Sequence, residues 1–172
     1  MNDSALIKLT YLSRRTVTPD TRKDTELLVE QIIQSARELN RKLDVTGILL
    51  VGERCFAQIL EGPASAVDEI FEQRVLPAKS HTDVLLLSRG PTPDRSFQDW
   101  NMALVHDQTG SLDRVVEHRA WEIKTSNLSS ERPSLWPLDL LLDEVSRIVG
   151  QVASTSVKEM MTDCTATGST PP

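Results

Sequence analysis

The stretch Leu43-Asp44-Val45-Thr46-Gly47-Ile48-Leu49-Leu50-Val51-Gly52-Glu53-Arg54-Cys55-Phe56-Ala57-Gln58-Ile59-Leu60-Glu61-Gly62-Pro63 decides the fold. Leu43 to Val51 is rich in β-branched and aliphatic residues and predicts a strand. Gly52-Glu53-Arg54 turns the chain into a second strand, Cys55 to Glu61, so the pair is a hairpin. Gly62-Pro63 breaks that strand and opens a helix, because proline suits the first helical turn. Gly47 in Val45-Thr46-Gly47-Ile48 marks close packing on a strand. One residue departs from the apolar pattern. Alternation sets Gln58 between Phe56 and Leu60, opposite Cys55, Ala57 and Ile59.

Upstream, Ala5 to Ser13 alternates, with Ile7, Leu9 and Tyr11 on one face, and predicts another strand. Arg14 to Asp20 is a polar loop. From Lys23 to Arg41 the apolar positions follow helical spacing: Val29, Ile33 and Ala36 form a stripe that Asn40 continues, with Glu26, Glu30, Gln34 and Arg37 toward water. Downstream, Ala66, Val67, Ile70, Phe71 and Val75 form the buried side of a second helix that Pro77 ends. Thr82 to Ser88 and Trp100 to Val105 read as strands, joined by the Pro-containing loop Gly90 to Asp99.

The order βαββαββ predicts an α+β, ferredoxin-like domain over residues 1–107, a five-stranded mixed sheet with two helices on one face. Leu112 to Trp121 and Pro137 to Val149 read as amphipathic helices. They belong to a C-terminal extension, residues 108–151, expected to pack on the open sheet face. Val152 to Pro172 is dominated by Ser, Thr, Ala and Gly and is expected to be a disordered tail.

Composition excludes several classes. The chain has 172 residues, 39% hydrophobic and 26% charged, enough for a real core in a soluble domain. Its net charge of −6 and the absence of a basic stripe argue against a nucleic-acid surface. No apolar run is long enough to span a bilayer, and no secretion signal is visible. Cys55 and Cys164 are far apart without metal spacing, so a cytoplasmic setting is expected. His81, His106 and His118 likewise lack metal spacing, and neither Ser13 nor Cys55 has a base beside it in sequence. Glu61 reads as the end of its strand.

The chemistry therefore rests on polar groups set among apolar ones. An unpartnered buried amide costs roughly 1–3 kcal/mol, so Gln58 must be paired, to a neighbour, a water or a ligand. Tyr11 read alone is a core tyrosine with its hydroxyl tied down. A Tyr–Gln pair differs, because the amide can accept from the phenol and donate onward. Asn40 reads either as a helix C-terminal cap or as an amide facing an imide edge. Trp100 and Met102 are assigned to one strand face with Leu104, as core residues or as alternative neighbours of Gln58.

Together these motifs resemble the BLUF family of blue-light sensors that use flavin. The matching segments are Tyr11-x-Ser13, Ala36-x-x-x-Asn40, Val45-Thr46-Gly47-Ile48-Leu49, Phe56-x-Gln58-x-Leu60-Glu61-Gly62 and Arg95-x-Phe97-x-x-Trp100-x-Met102, spanning Leu6 to Val105. The resemblance implies a photochemical switch of Tyr11, Gln58, Trp100 and Met102. It also implies flavin contacts from Tyr11, Ile33, Asn40, Gln58, Arg74, Lys79 and His81. In that reading Tyr11 supplies an electron and a proton to the excited flavin through Gln58, whose amide then rotates or tautomerises. The cofactor would be FAD, with FMN or riboflavin as alternatives, held between the two helices. The output would pass to an unidentified protein partner, without catalysis by this chain; homo-oligomerisation stays open.

Two departures stand out. Ala78-Lys79-Ser80-His81 keeps the histidine of the family's Asp-x-Arg-His segment but not its acid or arginine, and Arg74 aligns only with one extra residue before it. The rival reading is a ferredoxin-like interaction module without flavin. A small acyl-phosphate hydrolase lacks a convincing anion-binding loop.

Overall fold

Gln58 lies in the middle strand of the sheet, and the rest of the fold is arranged around that strand. The computed structural model describes residues 5–16, 22–107, 110–115, 145–147 and 150. Its elements are β1 (Leu6–Arg15), α1 (Arg22–Lys42), β2 (Thr46–Val51), β3 (Cys55–Pro63), α2 (Ala64–Ile70) continued by a π turn (Phe71–Val75), β4 (His81–Pro91), β5 (Ala103–His106) and α3 (Ser111–Val115). The sheet order is β4-β1-β3-β2-β5. β3 is antiparallel to β1 and β2, β1 is antiparallel to β4, and β5 is parallel to β2. The predicted α+β, five-stranded mixed sheet is borne out.

Each sheet face has its own apolar cluster. On one face Ile7, Leu9, Tyr11, Phe56 and Leu60 meet Val29 and Ile33 of α1 and Ala66, Val67 and Ile70 of α2. Both helices therefore cover that face. On the other, Leu12, Ile48, Leu50, Ala57 and Ile59 join Phe97, Leu112 and Val145. Coverage on both sides explains why β2 and β3 are buried almost throughout.

Several boundaries differ from the sequence reading, each for a local reason. α1 runs to Lys42, and Asp44 takes a left-handed φ of 54°, so β2 starts at Thr46 rather than Leu43. Leu43 N donates to Leu39 O and Val45 N to Asn40 O, which closes the helix end. α2 widens at its end: Leu76 N reaches Phe71 O, five residues back, at 2.9 Å. β5 begins at Ala103, not Trp100. Trp100 N instead closes a turn onto Phe97 O at 3.1 Å. A turn interrupts strand alternation, so parity counted from Trp100 fails.

Glu61 does not end its strand, since β3 runs on to Pro63. The carboxylate is fully buried; its Oε2 accepts from Ser96 N at 2.8 Å and Phe97 N at 3.1 Å, and its Oε1 meets Lys8 Nζ at 2.8 Å. It pins the connection between β4 and β5. At the β2–β3 turn the Asp113 carboxylate of α3 accepts from Glu53 N at 2.6 Å, Arg54 N at 2.8 Å and the Cys55 thiol at 3.1 Å. Gly52 permits that approach, because a Cβ there would lie 2.8–3.0 Å from the carboxylate.

The remainder of the two C-terminal helices expected at Leu112–Trp121 and Pro137–Val149, and the tail from Val152, lie outside the described residues. Among the described residues no helix is long and apolar enough to cross a membrane.

Candidate flavin cleft

Register places Tyr11 of β1 directly opposite Gln58 of β3, and Gln58 opposite Leu49 of β2. Cross-strand partners point to the same face, so the phenol and the carboxamide meet under the helices. The Tyr11 hydroxyl donates to Gln58 Oε1, and Gln58 Nε2 donates to Met102 Sδ at 3.4 Å. All three residues are buried. The amide can stand only one way in this chain of contacts. Thioether sulfur accepts and cannot donate, so the NH2 must face Met102 and the oxygen must face the phenol. Reversing the amide would break the sulfur contact.

Burial pushes the Tyr11 phenol far above its usual range. It therefore remains a protonated donor at any physiological pH. Around it, His81 stacks at 6.3 Å and Phe71 lies tilted at 5.6 Å. Burial holds the His81 imidazole below its usual range, with the Val75 backbone opposing that shift. Its Nδ1 is buried and has no partner among the described residues.

These groups open into a cleft of about 550 Å³ between α1 and the α2–π-turn helix. Tyr11, Leu49, Phe56, Gln58 and Met102 form its floor; Ile32, Ala36, Leu39 and Asn40 form one wall. Ile70, Arg74 and Val75 form the other, with Ala78, Ser80 and His81 at the rim. A hollow of about 540 Å³ also lies between α1 and residues 99–105, so size does not choose between them. The buried polar chain does, because it opens into the first cleft. An apolar slot of this volume floored by a donor–acceptor chain suits a flat heteroaromatic ring. Among the described residues no cluster of His, Cys, Asp or Glu could hold a metal ion.

Comparison with known proteins agrees with this chemistry. The family model for BLUF, described as sensors of blue-light using FAD, matches residues 6–103. The chain belongs to the BLUF family. The photoactivated adenylate cyclase subunit beta of Euglena longa is 33% identical over 101 residues, which is 58% of this chain and 11% of that protein. A related subunit from Euglena gracilis is 24% identical over 131 residues, 76% of this chain and 14% of its own length. The chain thus spans a small part of the curated relatives it matches. The dark-state structure of BlrB, a BLUF protein, superposes with a TM-score of 0.61 at 27% identity, covering 87% of this chain and 98% of that one. Klebsiella pneumoniae BlrP1, solved with FMN and cyclic diGMP, gives a TM-score of 0.51 at 26% identity over 65% of this chain and 30% of its own.

Several expected BLUF site residues stand elsewhere than the sequence reading put them. Trp100 does not share a face with Met102. It stacks on Phe97 at 6.1 Å and packs against the opposite apolar cluster, so it is not a neighbour of Gln58. The turn at residues 97–100 separates the two. Ile33 is buried in the core behind the wall, and the adjacent Ile32 faces the cleft. Lys79 is exposed and does not line the cleft, although Ala78 and Ser80 do. Arg74 and His81 do line it, and so does Asn40, whose Nδ2 donates to Asn101 O at 2.6 Å. Helical periodicity sets Arg37 toward solvent, yet its Nε donates to Met102 O at 2.9 Å. A long side chain can turn back on its own helix face, and helical periodicity carries no signal of that.

Proposed function

We propose that this BLUF domain binds a flavin non-covalently in the cleft beside Gln58 and reports blue light by rearranging the hydrogen bonds of that glutamine. The observation that carries this reading is the buried chain from Tyr11 through Gln58 to Met102 at the cleft floor. When bound, the isoalloxazine supplies blue-light absorption and an excited state that demands an electron. Tyr11 is suited to answer that demand. Its burial disfavours an anion, so on yielding an electron to the ring it would also release its proton along its bond to Gln58 Oε1, with an Nε2 proton of Gln58 leaving in exchange toward the reduced ring. Gln58 can rotate or tautomerise, exchanging the donor it presents to the ring. Asn40, with a second N–H and a carbonyl oxygen, is suited to the polar edge of the ring. Arg74 and His81, which line the cleft, would hold the more polar end of the ligand, and Lys79 is left as a solvent-side charge. FAD is the proposed cofactor, with FMN and riboflavin as the alternatives.

The proposed role is regulatory rather than enzymatic. One exchanged hydrogen bond is worth about 0.5–1.5 kcal/mol, a twofold to twelvefold shift in a coupled equilibrium. That size suits a change in packing of residues 99–105 and of the 108–151 extension, and thereby in affinity for a partner protein. The extension is proposed to work as an output element rather than as a second core. A cytoplasmic setting is part of the reading, on the two widely spaced cysteines.

The test is optical. The purified protein should be yellow, its absorption should shift reversibly to the red in blue light, and Gln58→Leu should abolish the shift. A normal shift in that variant would overturn the role of Gln58. A colourless protein that no flavin reconstitutes would favour the ferredoxin-like interaction module.

A further inference from the structure

The segment that delivers Met102 to Gln58 is held by its carbonyls, from one residue to the next. Trp100 O accepts from Gly47 N at 3.0 Å, Asn101 O from Asn40 Nδ2 at 2.6 Å and Met102 O from Arg37 Nε at 2.9 Å. Arg37 and Asn40 stand three positions apart on α1, so they project from the same helix face. The segment precedes Ala103, where β5 begins, and is not yet part of the sheet ladder. β5 is itself an edge strand. The main chain around Met102 is thus held by two helix side chains as well as by the β2 backbone contact at Trp100. Arg37 is exposed, and its guanidinium reaches inward to that one carbonyl.

The consequence lies at the sulfur. Met102 Sδ receives Gln58 Nε2 at 3.4 Å, and a thioether is a weak acceptor that works only where it is held. The methionine side chain is flexible, so its backbone anchor decides where the sulfur waits. We infer that Arg37 is a positioning residue of the light switch, acting through the Met102 carbonyl to keep the sulfur where the Gln58 amide returns in darkness. This rests on the photoreceptor reading above and adds a residue to it.

Arg37→Ala should slow dark recovery of the flavin-loaded protein by about twofold to twelvefold, the weight of one hydrogen bond. Thermal stability and flavin occupancy should stay near those of the unaltered protein, because the side chain is exposed. Arg37→Lys, which keeps a donor on a long stem, should recover part of the rate. In a Met102→Leu background, Arg37→Ala should have no further effect. A second readout needs no flavin. In the flavin-free protein labelled at methionine methyl carbons, the Met102 signal, identified by its loss in Met102→Leu, should move toward the position of a mobile methionine in Arg37→Ala. Should Arg37→Ala not fold, Arg37→Gln is read in the same two ways. Unchanged recovery with an unmoved methyl signal overturns the inference, as does equal slowing in the Met102→Leu background. Absence of any light response in the unaltered protein would instead refute the photoreceptor reading, and the methyl signal would still judge the clamp.

Discussion

At the scale of the residue, one position without side-chain chemistry, Gly47, holds the site in place. Gly47 is in β2 opposite Leu60, and a Cβ there would lie 2.0 Å from Ile59 O and 3.3 Å from Leu60 Cα. Those are backbone atoms of the central strand and cannot swing aside. Gly47→Ala should therefore destabilise the protein by about 3 kcal/mol or more, seen as a lower midpoint in denaturant unfolding. A midpoint within error of the unaltered protein would mean that β2 and β3 can part without cost. Gly47 N also holds Trp100 O, so the same change should disturb the segment carrying Met102. Alternation alone made Tyr11, Gln58 and Phe56 legible as one face, because strands have a fixed period of two. Trp100 was not legible, because a turn resets that period and nothing in composition marks the residue at which pairing resumes.

At the scale of the element, the β2–β3 hairpin is gripped from two sides. Arg15 Nη1 donates to Gly52 O at 2.9 Å and Glu53 O at 3.2 Å while its guanidinium lies 5.1 Å above the Phe56 ring. Asp113 of α3 takes the N–H groups of Glu53 and Arg54. Asp113→Ala should lower unfolding free energy by about 1–2 kcal/mol and speed amide exchange at Glu53 and Arg54. Exchange unchanged at both amides would show that α3 does not secure the turn. Phe56 floors the cleft, so this hairpin joins the ligand side of the sheet to the start of the extension. The hairpin was legible from Gly52-Glu53-Arg54; its carboxylate partner was not, because a contact 59 residues away leaves no local pattern. The π turn was half legible. Arg74 aligned with the family only if one residue was added, and Phe71–Val75 absorbs a residue by widening the helix, leaving Arg74 on the cleft wall.

At the scale of the whole molecule, stability and acidity are linked through His81. Its folded pKa is lowered by burial, below the unfolded value near 6.5. The unfolded state then binds the proton more readily, so the contribution of His81 is full above pH ~6.5 and is lost as pH falls below it. His81→Phe should flatten the decline in melting temperature between about pH 7 and pH 5 relative to the unaltered protein. Parallel curves for the two would remove His81 from the account. The architecture was the most legible level, because a strand, a helical stripe, a hairpin, a second helical stripe and two further strands in that order leave few ways to cover one sheet. The strand pairing has one more result. Leu6 lies against Pro63, Ile7 against Pro91 and Ile48 against Ala103, so the sheet beneath the cleft is assembled from distant stretches of chain. Such topologies close large loops before any contact rewards them and fold slowly for their size. The ligand seat consequently arrives late: a nascent polypeptide still lacking Met102 has no complete floor on which a chromophore could settle.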